Sequence, residues 1–132
     1  MALGQVLDFS GRHAEAIEVF EQALRIDPGY DIILHFIGRA QVGAGFLADA
    51  ENSFRRRLVR KPRSDMSRAY LASLLGAAGR VENARRLWTE ILEINPSFSI
   101  EHLRRVLPYK DPAWFDRFVD GLRKAGIAQG EA

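Results

Sequence analysis

The 132-residue chain contains no cysteine. Disulfide bridges, thiolate zinc sites and cysteine nucleophiles are therefore all excluded. It also lacks any uninterrupted apolar stretch near the ~20 residues that a membrane-spanning helix needs. The first residues have neither the basic flank nor the apolar core of a signal peptide. We therefore expect a cytoplasmic location and no membrane partner.

The sequence offers few groups for catalysis or metal binding. It has three histidines, and none stands at the spacing of a known metal motif. The glycine-rich segment 43–46 lacks the Lys-Ser/Thr pair of a phosphate-binding loop. No serine lies in a nucleophile elbow, and no pair of carboxylates lies in an apolar context. These absences predict a protein that is not an enzyme, with no catalytic residue, no metal site and no cofactor.

What the sequence does contain is an internal repeat. Pro28, Pro62 and Pro96 are spaced 34 residues apart. Six further sets keep the same spacing: Gly11, Gly45 and Gly79; Ala16, Ala50 and Ala84; Phe20, Phe54 and Trp88; Leu24, Leu58 and Leu92; Gly4, Gly38 and Ala72; Leu3, Ile37 and Leu71. So many positions in register at one period indicate a repeat architecture.

The residues between the repeated glycines and prolines have helical periodicity. Ala16, Phe20 and Leu24 lie on one helical face, and the later repeats place the same kinds of residue there. The glycines suit a tight turn between two helices, and the prolines end the second helix of each pair. A first helix is predicted over about 2–10, 31–43 and 65–78. Each repeat is thus helix, turn, helix.

A helix–turn–helix of this length and residue order resembles the tetratricopeptide repeat. The resemblance covers residues 1–98, divided into repeats 1–30, 31–64 and 65–98, and the first repeat is truncated at its N-terminus. It implies an all-α solenoid and a non-enzymatic scaffold for protein–protein interaction. The sequence departs from the family pattern at three positions: Gln41, Arg57 and Arg68.

The remaining segment, 99–132, is predicted to form C-terminal capping helices. Ser99 suits the N-cap of a short helix over 100–107, and Gly126 suits the end of a second helix. This second helix carries an aromatic stripe of Trp114, Phe115 and Phe118. The favoured interpretation is that the stripe covers the open end of the repeats. The alternative is an exposed surface for docking or self-association.

The tail also resembles the end of many bacterial class III adenylate/guanylate cyclase-like proteins, in which it follows tetratricopeptide repeats. The resemblance is carried by residues 108–112 and 118–126. The cyclase catalytic domain is absent from this sequence, so the resemblance implies a regulatory or scaffolding segment of such a protein and no cyclase activity. The alternative function is therefore a self-associating regulatory segment of a larger bacterial signalling protein. The predominance of Arg, together with abundant Ala and Gly, is also typical of a bacterial source.

The family resemblance implies that the first helix of each repeat lines a concave groove for a peptide or protein partner. Arg39 is expected to pair with a carboxylate of that partner. The clamp by which some family members bind a terminal carboxylate is absent, since Gln5 and Met66 replace its Asn and basic residues. The predicted groove residues are Gln5, Asp8, Phe9, Ile32, His35, Arg39, Val42, Met66, Ala69 and Ser73.

Charge is distributed unevenly along the chain. The formal charge is −4 over residues 1–31 and +5 over residues 32–63. The cluster Arg55–Arg63 makes nucleic acid an alternative partner, although a solvated helix face is the favoured interpretation. The acidic first repeat of a second copy is another candidate for this cluster, through head-to-tail contact between copies, and a homodimer is also considered.

Overall fold

The computed structural model describes residues 2–107 and 112–127, and those residues form eight α-helices and no strand. This confirms the predicted all-α helical repeat. The first helices of the three repeats agree with the predicted ranges to within two residues. The helices are α1 (Ala2–Phe9), α2 (His13–Ile26), α3 (Ile32–Ala44), α4 (Leu47–Arg60), α5 (Asp65–Ala77), α6 (Val81–Ile94), α7 (Ile100–Val106) and α8 (Pro112–Lys124).

The turn inside each hairpin depends on the repeated glycine. Gly11, Gly45 and Gly79 have φ angles of +90°, +87° and +83°. A side chain at such a φ is strained, whereas glycine adopts it readily. The left-handed residue ends one helix and starts the return of the chain, which explains why the glycine recurs every 34 residues.

The second glycine set allows the two helices of a hairpin to lie close together. A Cβ atom built on Gly4 would lie 2.5 Å from a ring carbon of Phe20. One built on Gly38 would lie 2.8 Å from Phe54. Each phenylalanine ring therefore packs directly on the backbone of the preceding helix, and both rings are fully buried. The paired glycine and phenylalanine positions are thus one packing device used twice.

The chain forms two compact units, and each is described by itself. The first contains α1–α4 and the second contains α5–α8, with the division between Pro62 and Arg63. Leu7, Phe20 and Ile37 are part of the core of the first unit. The division falls close to the predicted boundary between the second and third repeats. The boundary predicted between residues 98 and 99 stays a prediction.

The predicted caps of the tail helices are present where the structure describes them. The hydroxyl of Ser99 accepts a hydrogen bond from the backbone N–H of His102 at 3.3 Å. Gly126 has a φ of +76° and follows the last turn of α8. Asp111, the residue before α8, lies outside the described residues. The ring of Phe98 packs edge-on against Trp88 at a centroid distance of 5.6 Å, which fixes the start of α7 to α6.

The three departures from the family pattern are polar positions that link two helices or a helix and a turn. Arg57 forms an ion pair with Asp31, just before α3. Arg68 donates from Nε to Glu90 at 3.1 Å, and Gln41 accepts a hydrogen bond from Ser53 at 2.7 Å. Specific polar contacts therefore replace apolar packing at these positions.

Candidate peptide-binding face

The predicted groove residues differ widely in accessibility. Ten residues on α1, α3 and α5 were expected to line the groove. Five of them are half-buried: Gln5, Phe9, Ile32, Val42 and Met66. The other five are buried: Asp8, His35, Arg39, Ala69 and Ser73. The expectation that this second set is exposed is wrong, and the reason differs between the two units.

In the first unit, Arg39 and Asp8 form a buried ion pair. The guanidinium donates from Nε to Oδ2 of Asp8 at 2.8 Å, and the two residues are only 4% and 0% exposed. The other carboxylate oxygen of Asp8 lies 2.7 Å from Nδ1 of His13. A single carboxylate on α1 therefore connects α2 and α3. Arg39 was expected to meet a carboxylate of the partner, but the chain itself supplies that carboxylate.

Two aromatic rings complete the surroundings of Arg39. Its guanidinium carbon lies 4.4 Å from the ring centroid of Phe9 and 5.1 Å from that of Phe36. The negative faces of the rings stabilise a cation that has lost much of its water. Phe9 and Phe36 remain half-buried. The face of the first unit is therefore aromatic at its surface, with the buried Asp8–Arg39 ion pair beneath.

His35 is a neutral buried side chain. Burial, followed by the charges of Arg39 and Arg57, lowers the pKa of His35 to about 3. Its ring packs on Phe54 at 5.7 Å between centroids and on Phe36 at 5.9 Å. At neutral pH this side chain carries no positive charge that could attract an anionic ligand. Its predicted place in a polar spot of the groove is therefore corrected to a place in the core.

In the second unit, α8 covers the corresponding face of α5. A Cβ on Gly76 would overlap the carbonyl oxygen of Gly121, and one on Gly121 would overlap that of Ser73. The two helices thus meet backbone against backbone. The hydroxyl of Ser73 donates to the carbonyl oxygen of Phe118 at 2.7 Å, and Nε of Arg85 donates to that of Ala125 at 2.7 Å.

The aromatic stripe of α8 is part of this contact. The rings of Trp114 and Phe118 pack on Tyr70, with centroid distances of 5.7 Å and 5.1 Å. Phe115 packs on Phe118 at 5.5 Å. Trp114, Phe115 and Phe118 are all buried. They are therefore not exposed as the docking hypothesis requires, and their packing agrees with the capping hypothesis.

Sequence reasoning did not assign the residues that organise these two faces. His13 and Phe36 hold Arg39 and Asp8 in place, and Tyr70 and Gly121 hold α8 on α5. Gly121 offered a signal, because a glycine inside a helical pattern indicates a close backbone approach. His13 and Phe36 offered no such signal, since their roles depend on the Asp8–Arg39 pair, whose members are 31 residues apart along the chain.

Among residues 2–107 and 112–127, no three His, Asp or Glu side chains gather as ligands of a metal ion. None of the helices in those ranges has the length and apolar character needed to cross a membrane.

Comparison with known proteins connects this architecture to a family. The sequence model of the tetratricopeptide repeat matches residues 10–74. In addition, 45 residues are 60% identical to a protein of Rhizobium meliloti (strain 1021) named "Putative adenylate cyclase 3". That segment is 34% of this chain but only 8% of the relative. The chain therefore spans a small part of the relative's length.

Proposed function

We propose that this chain, an all-α protein with tetratricopeptide repeats, is a non-enzymatic scaffold whose α3 face binds a peptide or protein partner. Tetratricopeptide repeats are non-catalytic modules of protein interaction, which sets the class of function. We choose the α3 face because it is more accessible than the corresponding face of α5. The α5 face is covered by α8, whereas Ile32 and Val42 on α3 remain half-exposed.

The chemistry of the α3 face favours an apolar contact with a fixed orientation. Ile32 and Val42 share this face with the half-buried rings of Phe9 and Phe36. Arg39 is held by Asp8 and cannot extend to a ligand without breaking a buried ion pair. The partner therefore contributes apolar side chains, and the aromatic rings provide the central contacts.

The test is a comparison of captured partners using exposed positions. Ile32→Arg combined with Val42→Arg adds two charges to the face and leaves the Asp8–Arg39 pair intact. Bait chains are incubated with bacterial lysate, and bound proteins are quantified by mass spectrometry. We expect partners of the wild type to be reduced at least about tenfold, since one such lost contact costs over 1 kcal/mol.

Val106→Arg is the matched control, because Val106 is 52% exposed and belongs to the other unit. It should capture the same proteins as the wild type. Equal capture by the α3 variant and this control would exclude the face. Far-UV circular dichroism confirms that both variants keep their helices.

A second candidate function is a regulatory segment of a longer cytoplasmic bacterial signalling protein. The observation that favours it is the 60% identity over 45 residues with the cyclase-named relative. We attribute no cyclase chemistry to the described chain. In this role the segment acts by association, either with another protein or with a second copy. Nucleic acid remains the less favoured partner.

A further inference from the structure

The outward surface of the first unit carries two strips of opposite charge. Glu18 and Glu21 lie one turn apart on α2, and both are exposed. Arg56 and Arg60 lie one turn apart on α4 and are also exposed. α2 and α4 are the second helices of successive repeats, and at the 34-residue spacing Glu21 corresponds to Arg55. The repeat has thus kept its packing residues while its outer positions differ in charge.

The two strips are held in a fixed relation. Both α2 and α4 pack against α3. Arg60 donates from Nη1 to the backbone carbonyl of Pro28 at 2.6 Å, and Arg57 pairs with Asp31. The last turn of α4 is therefore fastened to the loop that follows α2. A partner meets both strips as one rigid surface.

Each strip ends in an exposed aliphatic side chain. Ile26, in the last turn of α2, is 85% exposed, and Val59, in the last turn of α4, is 82% exposed. An exposed aliphatic group gains free energy when an interface removes it from water. The strips therefore combine charges that set orientation with apolar atoms that favour burial.

We propose that these strips form a two-fold interface between two copies of the chain. The acidic strip is Glu18, Glu21 and Ile26, and the basic strip is Arg56, Val59 and Arg60. In a two-fold pair, the acidic strip of each copy faces the basic strip of the other. The contact between an acidic and a basic strip is then formed twice, and the assembly closes at two chains.

The charge pattern favours a second copy over nucleic acid. A nucleic acid backbone is attracted by Arg56 and Arg60 but repelled by Glu18 and Glu21 on the same unit. A second copy satisfies both strips at once. This surface is separate from the α3 face, so the dimer test and the partner-capture test fail independently.

The experiment is light scattering of the full chain with charge-reversed variants. One variant carries Glu18→Arg and Glu21→Arg, and the other carries Arg56→Glu and Arg60→Glu. We expect wild-type dimers at low salt and monomers at about 1 M ionic strength, where the Debye length is about 3 Å. Each variant alone should dimerise roughly a hundredfold more weakly, because like charges then face each other.

The decisive sample in this experiment is an equimolar mixture of the two variants. Each reversed strip then meets an oppositely reversed strip, while the unaltered strips pair as in the wild type. We expect the mixture to form a heterodimer with wild-type affinity. Far-UV circular dichroism of each variant establishes that the helices persist.

The matched control reverses two exposed glutamates of α6, with Glu82→Arg and Glu93→Arg. It should dimerise as the wild type does. Three outcomes overturn the proposal: a monomeric wild type at low salt, a mixture that stays monomeric, or a control as weak as the α2 variant. Retention of DNA or RNA by the wild type without dimerisation would assign the basic strip to nucleic acid instead.

Discussion

The corresponding faces of α3 and α5 are packed in different ways. In α3, the centre of the face is filled by Arg39, which lies against Phe9 and Phe36 and pairs with Asp8. In α5, the equivalent of Arg39 is Ser73, and a separate helix, α8, lies on the face. A long charged side chain thus occupies one face, and small residues admit a helix to the other.

This difference shows how a repeat diverges in function while its fold is kept. The glycine turn is retained in all three hairpins and the Gly–Phe contact in the first two, because both features act within a hairpin and bring its two helices together. The outward positions of the first helix have no such constraint. They are free to hold a buried ion pair, to receive a helix or to contact a partner.

The largest effect is expected when the ion pair between Asp8 and Arg39 is broken. Asp8→Asn removes the charge that compensates Arg39 in a buried site. Breaking a buried pair by losing one partner typically costs about 3–5 kcal/mol. We expect the free energy of unfolding, measured with urea, to fall by about 3 kcal/mol.

The matched control for this change is Asp120→Asn. The side chain of Asp120 is 54% exposed and pairs with Lys124 at 3.3 Å. Exposed pairs contribute about 0–1 kcal/mol, so the control should be close to the wild type. Replacing both partners, with Asp8→Leu and Arg39→Met, should cost less than Asp8→Leu alone. If Asp8→Asn lowers the free energy of unfolding no more than Asp120→Asn does, the Asp8–Arg39 pair contributes little to stability.

A smaller effect is expected from breaking the α5 arrangement. Gly121→Val places side-chain atoms where the backbone of Ser73 already lies, so α8 must shift from α5. Overpacking of this kind costs about 1–3 kcal/mol. We expect a stability loss of about 2 kcal/mol and a red shift of tryptophan fluorescence, since Trp114 loses its burial.

Arg117→Val serves as the matched control, because it introduces the same β-branched residue at an exposed position of α8. It should change stability by less than about 0.5 kcal/mol. If Gly121→Val behaves like Arg117→Val in both measurements, α8 does not depend on a close approach to α5.

Much of the fold was predictable from the sequence because its causes are local. The 34-residue period marked the hairpins, and turn glycines and Ser99 marked helix ends with known backbone chemistry. The candidate site was predictable only in its outline. A helical face identifies which residues point together, but not what covers them. The burial of Arg39 by Asp8, 31 residues earlier in the chain, has no local signature.

The last expected effect is a dependence of stability on pH, and it arises at His35. His35 on α3 corresponds to Ala69 on α5, so only the first face contains a titratable group here. The pKa of His35 is lowered from 6.5 to about 3, mainly by burial. Below pH 6.5 the unfolded chain therefore takes up a proton that the folded chain does not. The contribution of the neutral, buried His35 to stability is complete above pH 6.5 and is lost as the pH falls towards 3.

His35→Phe should remove this pH dependence and keep an aromatic ring beside Phe54. While the folded histidine stays neutral, the loss is about 1.4 kcal/mol per pH unit. We expect urea unfolding at about pH 7 and pH 5 to show a smaller decrease in the variant than in the wild type. His102→Phe alters an exposed histidine and should leave the wild-type decrease unchanged. Equal decreases in the wild type and His35→Phe would show that His35 is protonated in the folded chain, and that the α3 face opens to water.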